Sequence, residues 1–264
     1  MKINLKNRVL YRVSGPDSQT FLQSQFSNNI NQLSNNEIQL NCYCQHQGKI
    51  LAIVWVFKYE NTFFISFLKE LEDLIFSKLN MFKLMSEVKF EDFTEKYNIF
   101  GVLNETNNDF FVLGKGLNIL VTKDKFQSAE IELWEKLCID NSIPEITLIN
   151  SEKYTPQVLN LDIDEIGVSF KKGCYPGQEV VARMHYLGKA KRRMFQFFSN
   201  SEVKIGDSLN VANSTSFKSS GEVIRTVKIR GKYYFLGTIE VMHIGEKIFL
   251  NKDLNQTVNI VHVE

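Results

Sequence analysis

The sequence predicts an α+β fold closed at its C-terminal end by a small all-β module, and three observations carry that expectation. Up to about residue 190, strand-like runs come in pairs followed by amphipathic helical runs, without the regular alternation of a doubly wound sheet. Beyond Arg193 only short apolar runs remain, separated by turn residues, as in a small barrel. A hydrophobic content of 44% with 23% charged residues is ordinary for a globular chain with a real core. Two regions follow, an α+β region over 1–190 and a β-barrel over 191–264.

Val9 to Val13 reads as the first strand. Ser14-Gly15-Pro16-Asp17 then opens a helix, with Pro16 suited to its first turn, Asp17 to the positive end of its dipole, and Phe21, Leu22 and Phe26 as its apolar stripe. Leu51 to Phe57 and Phe63 to Leu68 form a strand pair across Glu60-Asn61-Thr62. Leu71, Leu74, Ile75, Leu79 and Phe82 follow helical spacing, which predicts an amphipathic helix over Lys69 to Met85. Short strands are expected near 88–93, 99–103, 110–113 and 117–121, then a helix over Ser128 to Cys138. Residues 146–158 read as irregular after the break at Ile143-Pro144. The terminal module is built from runs at 195–198, 208–211, 221–228, 233–239, 247–250 and 258–263.

Net charge is only +1, so the whole molecule shows no polyanion preference. Charge placement says more: Lys171, Lys172, Arg183, Lys189, Lys191, Arg192 and Arg193 are opposed by Glu179 alone, a local charge of +6. Such a stretch is either a solvated face or a contact for phosphates or a polyglutamate tail. Four cysteines are too few for a disulfide framework, and Met1 to Val13 lacks the continuous apolar run of an export signal. The longest apolar stretch, Ile50 to Phe57, is too short to cross a bilayer. A reduced, cytoplasmic setting without membrane contact is expected.

The most informative segment is Lys171-Lys172-Gly173-Cys174-Tyr175-Pro176-Gly177-Gln178-Glu179. Gly173 removes a side chain beside the thiol, and Pro176-Gly177 bends the backbone ahead of a helix expected over Gln178 to His185. A thiol near a helix N-terminus and two lysines is placed to ionise, so Cys174 is the candidate functional thiol. Cys42 and Cys44 point to one side of a strand, yet one C-x-C with one nearby His lacks the ligands of a structural zinc site, and both read as core residues. His46, His185, His243 and His262 form no metal spacing, and no metal site is expected.

From Thr155 to Arg193 the chain reads TPQVLNLDIDEIGVSFKKGCYPGQEVVARMHYLGKAKRR, which closely resembles the signature of the YgfZ family of folate-binding proteins, within the folate-dependent aminomethyltransferase superfamily. The resemblance implies two interlocked α+β subdomains and a C-terminal barrel around a central, folate-sized cavity. It implies tetrahydrofolate or a related folate as ligand, with a supporting role in iron–sulfur cluster assembly or repair and thereby in tRNA modification. Iron–sulfur enzymes or assembly proteins would be partners, and Lys189, Lys191, Arg192 and Arg193 a contact for tRNA.

For individual residues, the resemblance implies folate contacts at Trp134, whose indole can stack on a ring, and at Asp140, whose carboxylate can pair with a pterin edge. Gln25 and Arg8 are further candidates. Arg8 stands where the family has an aromatic residue. Lys172, Gly173, Tyr175, Gly177, Gln178 and Glu179 would support the thiol loop. Gln157 and Asn160 would order it through amide hydrogen bonds, and Glu179 would cap it or pair with Arg183. Cys174 would face the mouth of the cavity, where it could form a mixed disulfide, ligate a transient cluster or protect one. The family's Cys-Asp-x-x-Gly-Lys stretch has its counterpart in Cys44-Gln45-His46-Gln47-Gly48-Lys49. The acidic pair of the aminomethyltransferase branch falls on Leu51 and Ala52, which cannot exchange a proton. Aminomethyl transfer is therefore not expected. A one-carbon transferase and an RNA-binding adaptor remain the alternatives.

Overall fold

The computed structural model describes residues 1–103, 105, 110–113, 117–212 and 217–261. The chain runs through β1 (Lys2–Asn4), β2 (Arg8–Ser14), α1 (Ser18–Gln25), β3 (Glu37–Cys44), β4 (Ile50–Tyr59), β5 (Thr62–Leu68), α2 (Glu72–Lys83) and β6 (Lys89–Asp92). It continues through β7 (Asn98–Val102), β8 (Phe111–Val112), β9 (Asn118–Thr122), α3 (Ile131–Asp140) and α4 (Gln178–Leu187). The C-terminal strands are β10 (Arg192–Ser199), β11 (Ser208–Ala212), β12 (Phe217–Ile229), β13 (Lys232–Glu240), β14 (Ile248–Leu250) and β15 (Thr257–Ile260). The fold is α+β with a closed terminal barrel, as the sequence predicts. Residues 262 and 263 of the last expected strand, His262 among them, lie outside the described residues.

One sheet has the order β3-β4-β5-β2-β6. Its hairpin between β4 and β5 turns on Glu60 and Asn61, with φ of 47° and 59°. Two consecutive left-handed residues give the turn whose twist suits antiparallel strands. Register sets Leu10 opposite Ser66, Trp55 opposite Ser66, and Phe57 opposite Phe64, so these side chains share one face with Arg8. The opposite face carries Tyr11 and Phe67, whose rings meet Phe76 of α2 at 4.5 and 6.0 Å. The apolar stripe of α2 ends earlier than its spacing suggests. Ile75 and Leu79 are buried, but Phe82 is half exposed, so the last turn adds nothing to the core.

A second sheet, β1-β7-β9-β8, covers part of the Trp55–Phe57 face. Phe57 meets Phe111 edge-on at 5.0 Å. Trp134 of α3 meets Trp55 at 6.5 Å and lies against Gly101 of β7, where an added Cβ would come within 2.2 Å of the indole. That close approach is why β7 carries glycine there.

The barrel closes through pairing of β10 with β15 and has its own core of Phe197, Leu209, Val223, Phe235 and Leu250. Its outer side chains Met194, Ile224 and Leu236 belong to the larger core. Buried Arg225 of β12 clasps α3, donating to Glu135 at 2.6 Å and to the Ile143 carbonyl at 3.1 Å. The barrel is thus fixed to the α+β region by apolar contact and a buried ion pair.

Candidate functional site

Residues 169–177 lead into α4, and the side chains around Cys174 explain how the loop is held. Lys172 turns inward: only 8% exposed, its ammonium donates to the Gln23 and Phe26 carbonyls at the C-terminal end of α1. A cation suits that end of a helix dipole. Burial without a carboxylate partner pushes its pKa down to about 7. The ammonium also lies 5.1 Å from the centroid of the Tyr175 ring. Tyr175 is buried, and burial raises its phenol pKa. Only Lys171 of the two lysines therefore remains at the surface beside the thiol.

Gly177 has φ of 81° and caps α4, and an added Cβ would lie 2.4 Å from the Gln45 carbonyl and 2.7 Å from Gly48 Cα. Residues Gln45 to Gly48 form a tight turn closed by Gly48 N–H donating to the Gln45 carbonyl at 2.8 Å. That turn is the bed on which the cysteine loop rests. The structure thus joins two segments more than a hundred residues apart in sequence. Gln178 Nε2 donates to the Lys172 carbonyl at 3.3 Å. Gln157 Nε2 donates to the Val181 carbonyl inside α4 at 2.7 Å, and Asn160 Nδ2 to the Met194 carbonyl of β10 at 2.7 Å.

Cys174 itself is exposed, whereas Cys42, Cys44 and Cys138 are buried. The Cys44 thiol is held neutral by its hydrogen bond with Cys42 and by burial, and burial pushes the Cys138 thiol up to about 12. Cys174 is therefore the accessible sulfur. Above Gly173 the space is open, with no atom within 4 Å of a built Cβ, so a partner can approach the sulfur from that side. Glu179 and Arg183 are both exposed and form no ion pair with each other. α4 buries only Val181, leaving Tyr186 and Leu187 65% and 84% exposed.

The basic stretch is partly consumed by the fold. Arg193 Nη1 and Nη2 grip Asp162 at 2.6 and 3.0 Å, and Arg192 pairs with Glu240 at 3.4 Å. Lys171, Arg183, Lys189 and Lys191 remain exposed. Arg193 is a structural clamp between the barrel and the Gln157 segment, whose carbonyl it also meets at 2.8 Å.

Of the residues to which the resemblance assigns folate, Arg8 and Trp134 both pack against Trp55. Arg8 is 4% exposed; its guanidinium lies 3.6 Å from the Trp55 ring centroid, pairs with Glu145 and donates to the Ser66 carbonyl at 3.1 Å. Trp134 is sealed between Trp55 and Gly101. Asp140 points outward, its carboxylate on Lys136 at 2.6 and 2.7 Å. Gln25 ends α1 near the thiol loop, with a buried Oε1 that has no partner.

Two cavities lie elsewhere. One of about 250 Å³ is lined by Arg8, Leu10, Glu95, Tyr97, Asn98 and Asn4 among others. The other, of about 910 Å³, opens between the two sheets. Cys174 lines neither of these two. The smaller cavity supplies the group types a pterin edge needs: a carboxylate at Glu95, amides at Asn4 and Asn98, and the ring of Tyr97. Of the sequence candidates Arg8 alone reaches it. Leu51 and Ala52 are buried in β4, with no acid in their place. Among the described residues no cluster of three His, Cys, Asp or Glu could hold a metal, and no helix is long and apolar enough to cross a membrane.

The fold is similar to that of a solved aminomethyltransferase T. The crystal structure of glycine cleavage system aminomethyltransferase T from Bartonella henselae superposes with a TM-score of 0.68 over 99% of this chain and 84% of that one, at 13% identity. No family model matches the chain. Among curated sequences, the tRNA-modifying protein YgfZ of Photorhabdus laumondii is 29% identical over 86% of this chain and 80% of its own length. That of Buchnera aphidicola from Schizaphis graminum is 25% identical over 98% of this chain and 88% of its own. An uncharacterized protein of Haemophilus influenzae is 28% identical over 87% and 85%. The chain is a homologue of the YgfZ-type tRNA-modifying proteins.

Proposed function

We propose that this chain acts in tRNA modification through the Cys174 thiol, supporting iron–sulfur cluster assembly or repair, and that it binds tetrahydrofolate or a related folate in the cytoplasm. The observation that carries the reading is the thiol loop. An accessible sulfur stands over an open approach, on a loop clamped by Lys172, Gly177, Gln178 and Gln157. A loop ordered so heavily around one exposed side chain is organised to present it. Cys174 supplies a nucleophile or soft ligand, and the fold's other cysteines are buried. Lys171, Arg183, Lys189 and Lys191, exposed along the same segment, carry positive charge suited to tRNA or to an acidic iron–sulfur partner.

For the folate, Arg8, Glu95 and Asn98 would hold the ring, and a bound tetrahydrofolate would supply a reduced pterin able to carry a one-carbon unit. The absence of an acid at Leu51 and Ala52 speaks against aminomethyl transfer. Calorimetric titration of tetrahydrofolate into wild type, Glu95→Gln, Trp134→Phe and Cys174→Ser tests the ligand. Weakened binding for Glu95→Gln with unchanged binding for Cys174→Ser supports the assignment. Equal affinity in all four proteins removes the smaller cavity from it, and no binding to wild type removes folate.

A further inference from the structure

We propose that the C-terminal end of α4 and the turn after β13 form one docking face for a protein with an acidic surface. The partner class rests on the reading of Cys174 as the working group: it is the iron–sulfur protein that the thiol serves. The two pieces meet where the Val241 N–H donates to the Lys191 carbonyl at 2.8 Å. One contributes exposed Tyr186 and Leu187; the other contributes Val241, Met242 and Ile244, with Met242 73% exposed. Both pieces are held in place. His185 stacks on Phe170 at 3.6 Å with Tyr186 edge-on to it, and Phe170 leads directly into the thiol loop. Buried His243 is bonded to Ser220 at 2.9 Å, which anchors the turn. A frame already ordered lowers the cost of being covered.

The charges select the partner. Among the described residues of these pieces, the exposed charges without an ion pair are Arg183, Lys189, Lys191 and Lys247, against Glu179 and Glu246. Arg192 and Lys218 share the one carboxylate of Glu240, which leaves a further cation. Arg193 with Asp162 and Lys153 with Glu222 cancel, and residues 213–216, which lead into β12, are uncharged. A positive rim around an apolar centre complements a protein surface with a negative rim. A tRNA backbone would meet the lysines but leave Leu187, Val241, Met242 and Ile244 against hydrated phosphates, because aliphatic groups offer no stacking face. A second copy of this chain would set one positive rim against another.

The test places the photo-crosslinking residue p-benzoylphenylalanine in place of Tyr186 and, as a control, in place of Tyr59, exposed on the β4–β5 hairpin. The full chains are expressed in a bacterial strain lacking its own YgfZ homologue and irradiated, and adducts are identified by mass spectrometry. Expected is an adduct with an acidic iron–sulfur protein from position 186 that is absent from position 59. Its yield should fall about tenfold with Leu187→Asp plus Met242→Asp, and about fivefold with Lys189→Glu plus Lys191→Glu. Modified-nucleoside content of tRNA should be lost with it. All four substituted side chains are exposed, and circular dichroism checks that each variant is folded. Adducts only with RNA, lipid or a second copy of this chain, adducts indifferent to both pairs of substitutions, or no adduct at all, overturn the proposal. Cys174→Ser separates the two claims. Full tRNA modification by Cys174→Ser with defective docking variants removes the thiol and leaves the face, whereas the reverse removes the face and leaves the thiol.

Discussion

Replacing Gly177 by alanine tests whether the turn Gln45–Gly48 really seats the cysteine loop. The residue has φ of 81°, and its new Cβ would lie 2.4 Å from the Gln45 carbonyl oxygen and 2.7 Å from Gly48 N and Cα. A left-handed conformation costs an ordinary residue about 1–2 kcal/mol. The offending atoms are backbone on a second tight turn, so relief requires the two loops to part, at roughly 1–3 kcal/mol more. The variant should therefore lose about 2–5 kcal/mol of stability. Urea denaturation followed by circular dichroism measures it, with thiol labelling of Cys174 reporting the displaced loop. Gly173→Ala is the control: its Cβ meets no atom within 4 Å, so stability should stay within about 0.5 kcal/mol of wild type. A Gly177→Ala protein as stable as the control would refute the seating of one motif on the other.

The remaining predictions concern the groups that hold the site. Lys172 is charged in the unfolded chain up to its ordinary pKa of 10.5 but loses its proton near 7 when folded. The unfolded state binds more protons between those values, so wild-type stability should rise with pH across 7 to 10.5 relative to Lys172→Met, by parallel urea titrations. A pH-independent difference between the two proteins would contradict the buried, unpaired ammonium. Arg225→Ala strands Glu135 and frees the barrel from α3. Because Glu135 keeps some water contact, the loss should be about 2–4 kcal/mol, read from the denaturation midpoint. Trp134→Ala empties the space over Gly101 and should cost about 3–5 kcal/mol in the same assay, so any loss of ligand binding in that variant must be judged against its stability.

Much of the fold was legible because local signals agreed. The Glu60-Asn61 hairpin, the 3.6-residue spacing of Leu71, Ile75 and Leu79, and the evenly punctuated runs beyond Arg193 each name their element. The thiol loop was legible from composition alone, since glycines, proline and lysines around Cys174 mark a constrained turn before a helix. What the sequence hid was long-range. Nothing local shows that Lys172 turns inward to the end of α1, or that Arg193 is spent on Asp162. A charge run looks the same whether it is solvated or folded into clamps. The bedding of Gly177 on Gly48 joins residues too far apart for any periodicity to link them. The cavity between the sheets left one faint trace, the aromatic residues Phe57, Tyr59 and Phe64 flanking the hairpin, which line it with residues of β8 and β9. Arg8, which stands where the resembling family has an aromatic residue, lies on a ring of its own chain, that of Trp55.

The central claim is that the exposed sulfur of Cys174 is the working group and the rest of the loop is its mount. The direct measurement is the modified-nucleoside content of bulk tRNA from a bacterial strain lacking its own YgfZ homologue and supplied with wild type, Cys174→Ser or Gly173→Ala. Cys174→Ser should fold with wild-type stability, the residue being exposed, yet leave the tRNA as unmodified as in the empty strain. Full restoration by Cys174→Ser, at equal protein level, would contradict the account.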